Sequence, residues 1–298
     1  MDLLAVERID SLSLAEIETL VLAGGGNRCW WQGGVLARWL ERGWKPPKEL
    51  VGTSAGAAIA ASCLTDGPRS ALDVCVRLYS ANQRLVEWTG LARLKLSFAH
   101  ERIYPQWIEG FVNELTFKRL CLSTTRVHVA LTRPARLLGL AGSLVVGTLA
   151  YLADKYVWQS IHPRLPRYFG LRQEFFALND CATAGEAQRL LSAAAAAPPL
   201  IRSRVIRGTP AIDGGYVDNA PVHPQTASEK ARTLVLLTRH YPKLPLLFRW
   251  HERVYLQASR RVPVSTWDCT LRATVRDAFA LGERDAEKVL RNGLLRII

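Results

Sequence analysis

The chain is poor in acid. Its 26 Asp and Glu stand against 39 Lys and Arg, leaving a formal net charge of +13. Such an excess favours anionic partners: phospholipid headgroups, nucleic acid or acidic ligands. Zinc-finger spacing and an aromatic-rich RNA-binding signature are both missing, so no nucleic acid is expected and an anionic membrane surface is the favoured partner. No CxxC pair occurs among the six cysteines (Cys29, Cys63, Cys75, Cys121, Cys181, Cys269). A disulfide framework and a zinc site are therefore not expected, and the thiols read as reduced and mostly buried. No cluster of calcium ligands is visible either, so neither metal nor cofactor is expected. Residues 1–20 carry no basic n-region followed by an apolar core, which leads us to expect a cytoplasmic protein.

What is present suits a folded enzyme. Apolar residues make up 49% and charged residues 22% of 298, enough to bury the core of one large α/β domain. Residues 18–23 form a short apolar run that stops at Gly24-Gly25-Gly26, as a buried parallel strand feeding a glycine turn does. A helical pattern follows over residues 30–42, then a second strand at Leu50-Val51. This alternation builds a parallel sheet covered on both faces.

The second strand runs into Gly52-Thr53-Ser54-Ala55-Gly56, the Gly-x-Ser-x-Gly spacing of a nucleophile elbow. A serine at the tip of so tight a turn takes unusual φ/ψ, and side chains two residues to either side would collide with strand and helix. Residues 57–61 are helix formers, so the positive end of a helix dipole lies beside Ser54. The Gly24–Gly26 loop fails as a dinucleotide fingerprint, whose third glycine would fall on Cys29, and no Gly-Lys-Ser/Thr follows to make a P-loop. Consecutive glycines instead leave backbone N–H groups bare for an oxyanion.

Farther along, residues 69–88 and 101–120 have helical spacing and residues 126–131 alternate as a strand carrying His128, read as a packed histidine. Residues 137–153 hold no charge. As a helix they would reach about 26 Å, short of the roughly 30 Å of a bilayer core. Basic and aromatic residues flank them: Arg133 and Arg136 before, then Tyr151, Lys155, Tyr156, Trp158, Arg164, Arg167 and Tyr168. Gly139, Ser143 and Gly147 would line one face. A membrane-touching flap, a buried or homodimer-forming helix and a true span all fit this segment. Residues 179–191 read as helix and 192–197 as an alanine-rich extension ended by Pro198-Pro199. Residues 211–222 bring Asp213-Gly214-Gly215, a turn or a catalytic base. Residues 232–238 form another buried strand, and 267–291 an amphipathic helix.

Gly24-Gly25-Gly26-Asn27-Arg28, the Gly52–Gly56 elbow, the Ala/Pro segment at 192–199 and Asp213-Gly214-Gly215 with Asn219-x-Pro221 occur in the order of the patatin-like phospholipase family, which this chain resembles over roughly residues 19–240. The resemblance implies a three-layer α/β/α fold with a mostly parallel central sheet and a metal-independent lipid acyl hydrolase acting on phospholipid or other lipid esters. It carries Ser54 over as nucleophile, Asp213 as its base, and Gly24, Gly25, Gly26, Asn27 and Arg28 with Ala55 as oxyanion hole, supported by Gly52, Gly56, Gly214 and Gly215. Two departures stand out: Cys29 replaces the family's usual glycine, and the apolar region 133–172 has no counterpart in the family's short core. We therefore expect one catalytic domain over residues 1–298, with 133–172 an apolar and basic insertion that serves as lid or membrane flap. Three alternatives use overlapping residues: a Ser-His-Asp hydrolase recruiting His223 or His240, a membrane scaffold without activity, and an acyltransferase in which an alcohol replaces water.

Overall fold

A strand buried on both faces needs apolar side chains in both directions, and Leu20, Val21 and Leu22 are all essentially inaccessible. Thr19–Leu22 accordingly lies mid-sheet, parallel to Glu49–Thr53 on one side and Thr233–Leu236 on the other. The structure, a computed structural model, describes residues 6–87, 97–158, 160–163 and 165–297, with backbone only at 154 and 155. Among these the sheet has ten strands. Its centre is parallel, in the order Arg253–Leu256, Thr233–Leu236, Thr19–Leu22, Glu49–Thr53, Arg126–Arg133. Antiparallel strands extend both edges, among them Leu247–Trp250 at one end and Arg172–Ala177 at the other.

Leu20, Leu22, Leu50, Val127 and Val129 face a helical layer that includes Cys29–Glu41, Ala55–Ser62 and Val275–Arg291. Val21, Ala23, Val51 and Val235 face the opposite layer, packing with Ile161, Tyr241 and Leu244. The result is the three-layer α/β/α arrangement with a mostly parallel central sheet. In the first layer, Cys29–Glu41 and Val275–Arg291 cross at a glycine pair. A Cβ on Gly34 would sit 2.0 Å from the Phe279 carbonyl oxygen, and one on Gly282 2.0 Å from that of Trp31.

Several boundaries differ from the spacing-based expectations, each for a local reason. The helix expected over 69–88 is Gly67–Ser80, because Asn82 is tied across the chain to the Cys269 carbonyl and to Leu271 N–H; Trp88 lies outside the described residues. The helix expected over 101–120 is two, His100–Phe111 and Glu114–Leu122, split by a capping box in which Asn113 takes the N–H groups of Leu115 and Thr116. The C-terminal helix begins at Val275, not at Trp267, because Asp268 caps Thr270 and holds the preceding stretch as a loop.

The uncharged segment forms the helix Gly139–Ala153, followed by a wide turn over Asp154–Trp158. Among the described residues no helix is long and apolar enough to cross a membrane. Its small-residue face is Ser143, Gly147 and Ala150, buried against its own chain: a Cβ on Gly147 would meet the Tyr216 ring at 2.5 Å. That face is thus taken and unavailable for the expected helix-to-helix dimer, while Gly139 sits outside it, exposed at the helix start. Leu137, Val145, Leu149 and Leu152 point outward instead, continued by Tyr156, Val157, Trp158 and Tyr168. Arg133 is not part of the basic flank. It is buried, pairs with Glu174, and donates to the carbonyls of Ile206, Thr209 and Pro210. The flanking Arg164 and the Lys155 side chain lie outside the described residues.

Candidate active site

Two strand ends meet here. Glu49–Thr53 pairs with Arg126–Arg133 as far as Thr53 opposite Ala130. Thr209–Asp213 comes from the other direction along the same strand, its last residue Asp213 opposite Leu131. The carboxyl ends of the serine strand and the aspartate strand therefore abut, one residue apart on their shared neighbour. Each chain then turns out of the sheet, Ser54 at φ 53°, ψ −140° and Asp213 as the cap of the short 3-10 turn Gly214–Tyr216. Positive φ in a non-glycine residue is strained, and it aims the serine side chain out of the sheet.

The neighbours impose that turn. A Cβ on Gly52 would lie 2.6 Å from the backbone of Ala57, and one on Gly56 2.5 Å from the Leu22 carbonyl oxygen. A Cβ on Gly214 would likewise lie 2.2 Å from the Thr53 hydroxyl. A carbonyl clamp then fixes both residues: Ser54 N–H donates to Ala194 (3.1 Å) and Asp213 N–H to Ala196 (2.9 Å). The alanine-rich stretch thus does more than extend a helix. Its end is the brace between the two strand ends.

The Asp213 carboxylate accepts from Gly215 N–H at 2.7 Å and shares the cleft with Ser54, whose side chain lies near enough to favour its charged form. Burial outweighs both influences and lifts the Asp213 pKa to about 6. A carboxylate so placed is a far better proton acceptor near neutrality than an exposed one.

The glycine loop divides into donors and struts. Gly24 is pinned: its N–H donates to the Asn219 carbonyl, and its own carbonyl accepts from Asn219 Nδ2 and the Thr238 hydroxyl. Asn27 N–H goes to Thr266 and Arg28 N–H to Gly25, so neither can serve an oxyanion. The buried Asn27 side chain ties down the covering loop through the carbonyls of Ser265 and Asp268. Among the described residues, the N–H groups of Gly25, Gly26 and Ala55 have no protein acceptor. Gly25 and Gly26 share the serine's cleft, and Ala55 opens the helix behind it.

Ser54 lies between two spaces. One is an open cleft of about 220 Å³ that also holds Asp213, Arg28, Tyr216 and, from the insertion helix, Thr148 and Tyr151. The other is a narrow cavity of about 40 Å³ walled by Trp30, Trp107, Tyr79 and Tyr104, with Cys29 among its lining residues. Burial pushes the Cys29 thiol well up, so it stays protonated and packs as a small apolar group.

The sequence model of the patatin-like phospholipase family matches residues 20–225. The chain belongs to this family. Membership supports lipid acyl hydrolase activity on lipid ester substrates. The crystal structure of VipD from Legionella pneumophila is similar at 12% sequence identity and a TM-score of 0.43, covering 94% of this patatin-like chain and 72% of that one. No curated protein matches the chain.

The two histidines considered for a triad lie elsewhere. His223 packs against Phe175 and His128, and His240 bonds to the Ala258 carbonyl; neither lines the serine's two spaces. His100 does line the narrow cavity, but burial lowers its basicity. Sequence reasoning missed Thr238, Thr148, Tyr151 and Thr266-Trp267 as parts of the site. Nothing in the local sequence marks them, because each arrives from a distant element.

Proposed function

We propose that this patatin-like protein is a serine acyl hydrolase that cleaves carboxylic esters of membrane lipids through a Ser54–Asp213 dyad and an acyl-enzyme. The single observation behind this is the strained elbow serine sharing one cleft with a buried carboxylate whose basicity burial has raised. Asp213 takes the Ser54 proton as Oγ attacks the ester carbonyl carbon. Charge that builds on the carbonyl oxygen is met by the N–H groups of Gly25, Gly26 and Ala55; losing one such donor typically costs about 3–4 kcal/mol in the barrier. The tetrahedral centre collapses, the C–O bond to the leaving alcohol breaks, and Asp213 returns the proton to that alcohol. Water then attacks the acyl-enzyme with Asp213 as base, releasing the fatty acid and restoring the serine hydroxyl.

The two spaces suit the two parts of an ester. The aromatic cavity would take the first carbons of the acyl chain, and its 40 Å³ matches only about three water volumes. The cleft with Arg28 would take the polar alcohol side. The insertion at 133–172, within one catalytic domain, would bring the outward apolar face of its helix onto an anionic bilayer and hold the cleft at the lipid surface.

The test compares wild-type protein with Ser54→Ala on a short-chain ester and on a phospholipid panel read by mass spectrometry. The expected result is release of free fatty acid by wild type and none above background by the variant. Equal rates would sink the dyad and leave a scaffold. Acyl transfer to an added alcohol in place of free acid would assign a transferase.

A further inference from the structure

Three successive glycines supply two of the proposed oxyanion donors, and glycine leaves a peptide plane free to flip. A flip would turn a carbonyl oxygen toward the serine's cleft in place of an N–H. In a trans peptide the C=O and the N–H point in opposite directions, so fixing the carbonyl fixes the donor. The Gly25 N–H shares its plane with the Gly24 carbonyl, which accepts from Asn219 Nδ2 at 2.8 Å and from the Thr238 hydroxyl at 2.5 Å. The Gly26 N–H shares its plane with the Gly25 carbonyl, which accepts from Arg28 N–H at 3.1 Å and from Arg28 Nε at 3.3 Å. Each carbonyl is therefore held twice, by donors on the side away from its plane's own N–H.

Thr238 reaches this loop through the sheet. The parallel strands Thr19–Leu22 and Thr233–Leu236 pair Leu22 with Leu236, and two residues farther on Thr238 meets Gly24. Just short of the loop the strand ends are stitched together: Ala23 N–H donates to the Leu236 carbonyl, and Gln32 Nε2 donates to the carbonyls of both. Thr238 is buried and lines neither of the serine's two spaces, whereas Gly25 lines the open cleft. The Gly24 carbonyl thus points at a buried hydroxyl, which leaves the Gly25 N–H pointing the other way. Packing supports the same arrangement, since a Cβ on Gly25 would lie 2.5 Å from the Thr238 hydroxyl oxygen. Thr238 also lies outside residues 20–225, the stretch that the family model matches.

We propose that Thr238 is a positioning residue for ester hydrolysis: together with Asn219 its hydroxyl holds the Gly24 carbonyl, and so keeps the Gly25 N–H turned toward the developing oxyanion. This rests on the hydrolase reading and adds to it a residue that touches neither the substrate nor the reacting atoms. The ester oxygen carries far more charge in the tetrahedral intermediate than in the bound substrate. A misaligned donor therefore lowers kcat and spares KM.

The experiment measures kcat and KM on a short-chain ester, and affinity for a short alkylboronic acid, in wild type, Ser54→Ala, Thr238→Val and Thr238→Ser. Thr238→Val keeps the branched shape and loses the donor, whereas Thr238→Ser keeps the donor. In the boronic acid adduct boron takes an electron pair from the Ser54 oxygen, the hydroxyl proton passes to Asp213, and the tetrahedral boronate carries the negative charge. Thr238→Val should lose about tenfold in kcat, the worth of one hydrogen bond, and at most about 10²–10³-fold, the worth of one whole oxyanion donor. KM should stay within about twofold, boronate affinity should weaken in step with kcat, and Thr238→Ser should recover most of both. A kcat for Thr238→Val within about twofold of wild type, a loss carried by KM, or a Thr238→Ser variant as slow as Thr238→Val overturns the proposal. If Thr238→Val does not fold, Thr238→Ala makes the same comparison. A wild type no faster than Ser54→Ala sinks the hydrolase reading and this one with it, an outcome distinct from an active wild type that Thr238→Val matches.

Discussion

Replacing Asp213 with Asn should make the protein less active and, above neutrality, more stable. Burial raises the Asp213 pKa from 3.8 to about 6, so in the folded state the proton is held more tightly than in the unfolded chain. A raised folded pKa means that this group's favourable contribution is complete below about pH 4 and is lost as pH rises through about 6. Roughly two pKa units at about 1.4 kcal/mol each give about 3 kcal/mol withdrawn from stability across that window. The substituted amide carries no such charge, so the stability difference between variant and wild type should swing by about 2–3 kcal/mol in favour of the variant between about pH 4 and pH 8. Urea unfolding at a series of pH values measures this, and other titrating groups cancel in the difference. Activity should move the opposite way. Wild-type kcat/KM should fall about tenfold per pH unit below an apparent pKa near 6, and Asp213→Asn should lose about 10²–10⁴-fold above that pKa, a deficit that shrinks as pH falls below it. A stability difference flat with pH, or full wild-type activity at about pH 4.5, would refute the reasoning that burial has made this carboxylate a base.

His223→Ala should leave ester hydrolysis within about twofold of wild type, because His223 packs on Phe175 away from the serine; a loss of about 10⁴-fold would restore the triad. Gly282→Ala should destabilise by about 3 kcal/mol or more, since its Cβ meets the Trp31 carbonyl backbone where neither helix can yield; an unfolding midpoint at the wild-type value would contradict that crossing. Leu149→Glu with Leu152→Glu should weaken co-sedimentation with anionic vesicles while short-chain ester turnover persists, and unchanged lipid binding would remove the membrane role of the insertion.

Much of the site was legible in the linear chain because its constraints are local. A serine flanked two residues away by glycines specifies a turn so tight that any Cβ would strike backbone, and the contacts at Gly52 and Gly56 are of that kind. An apolar run that ends in glycines specifies a buried strand and a loop with bare N–H groups, and the order of these pieces specifies the parallel core. What the chain could not disclose is how residues far apart use the same few ångströms. Which loop N–H groups stay uncommitted depended on acceptors such as the Asn219 and Thr266 carbonyls. Whether Arg133 faced a membrane or the interior depended on carbonyls some seventy residues later. The small-residue face of the insertion helix met Tyr216 of its own chain. Local sterics are written in neighbouring residues, whereas hydrogen-bond partners, burial and the resulting basicity of Asp213 exist only once distant strands have been brought to abut.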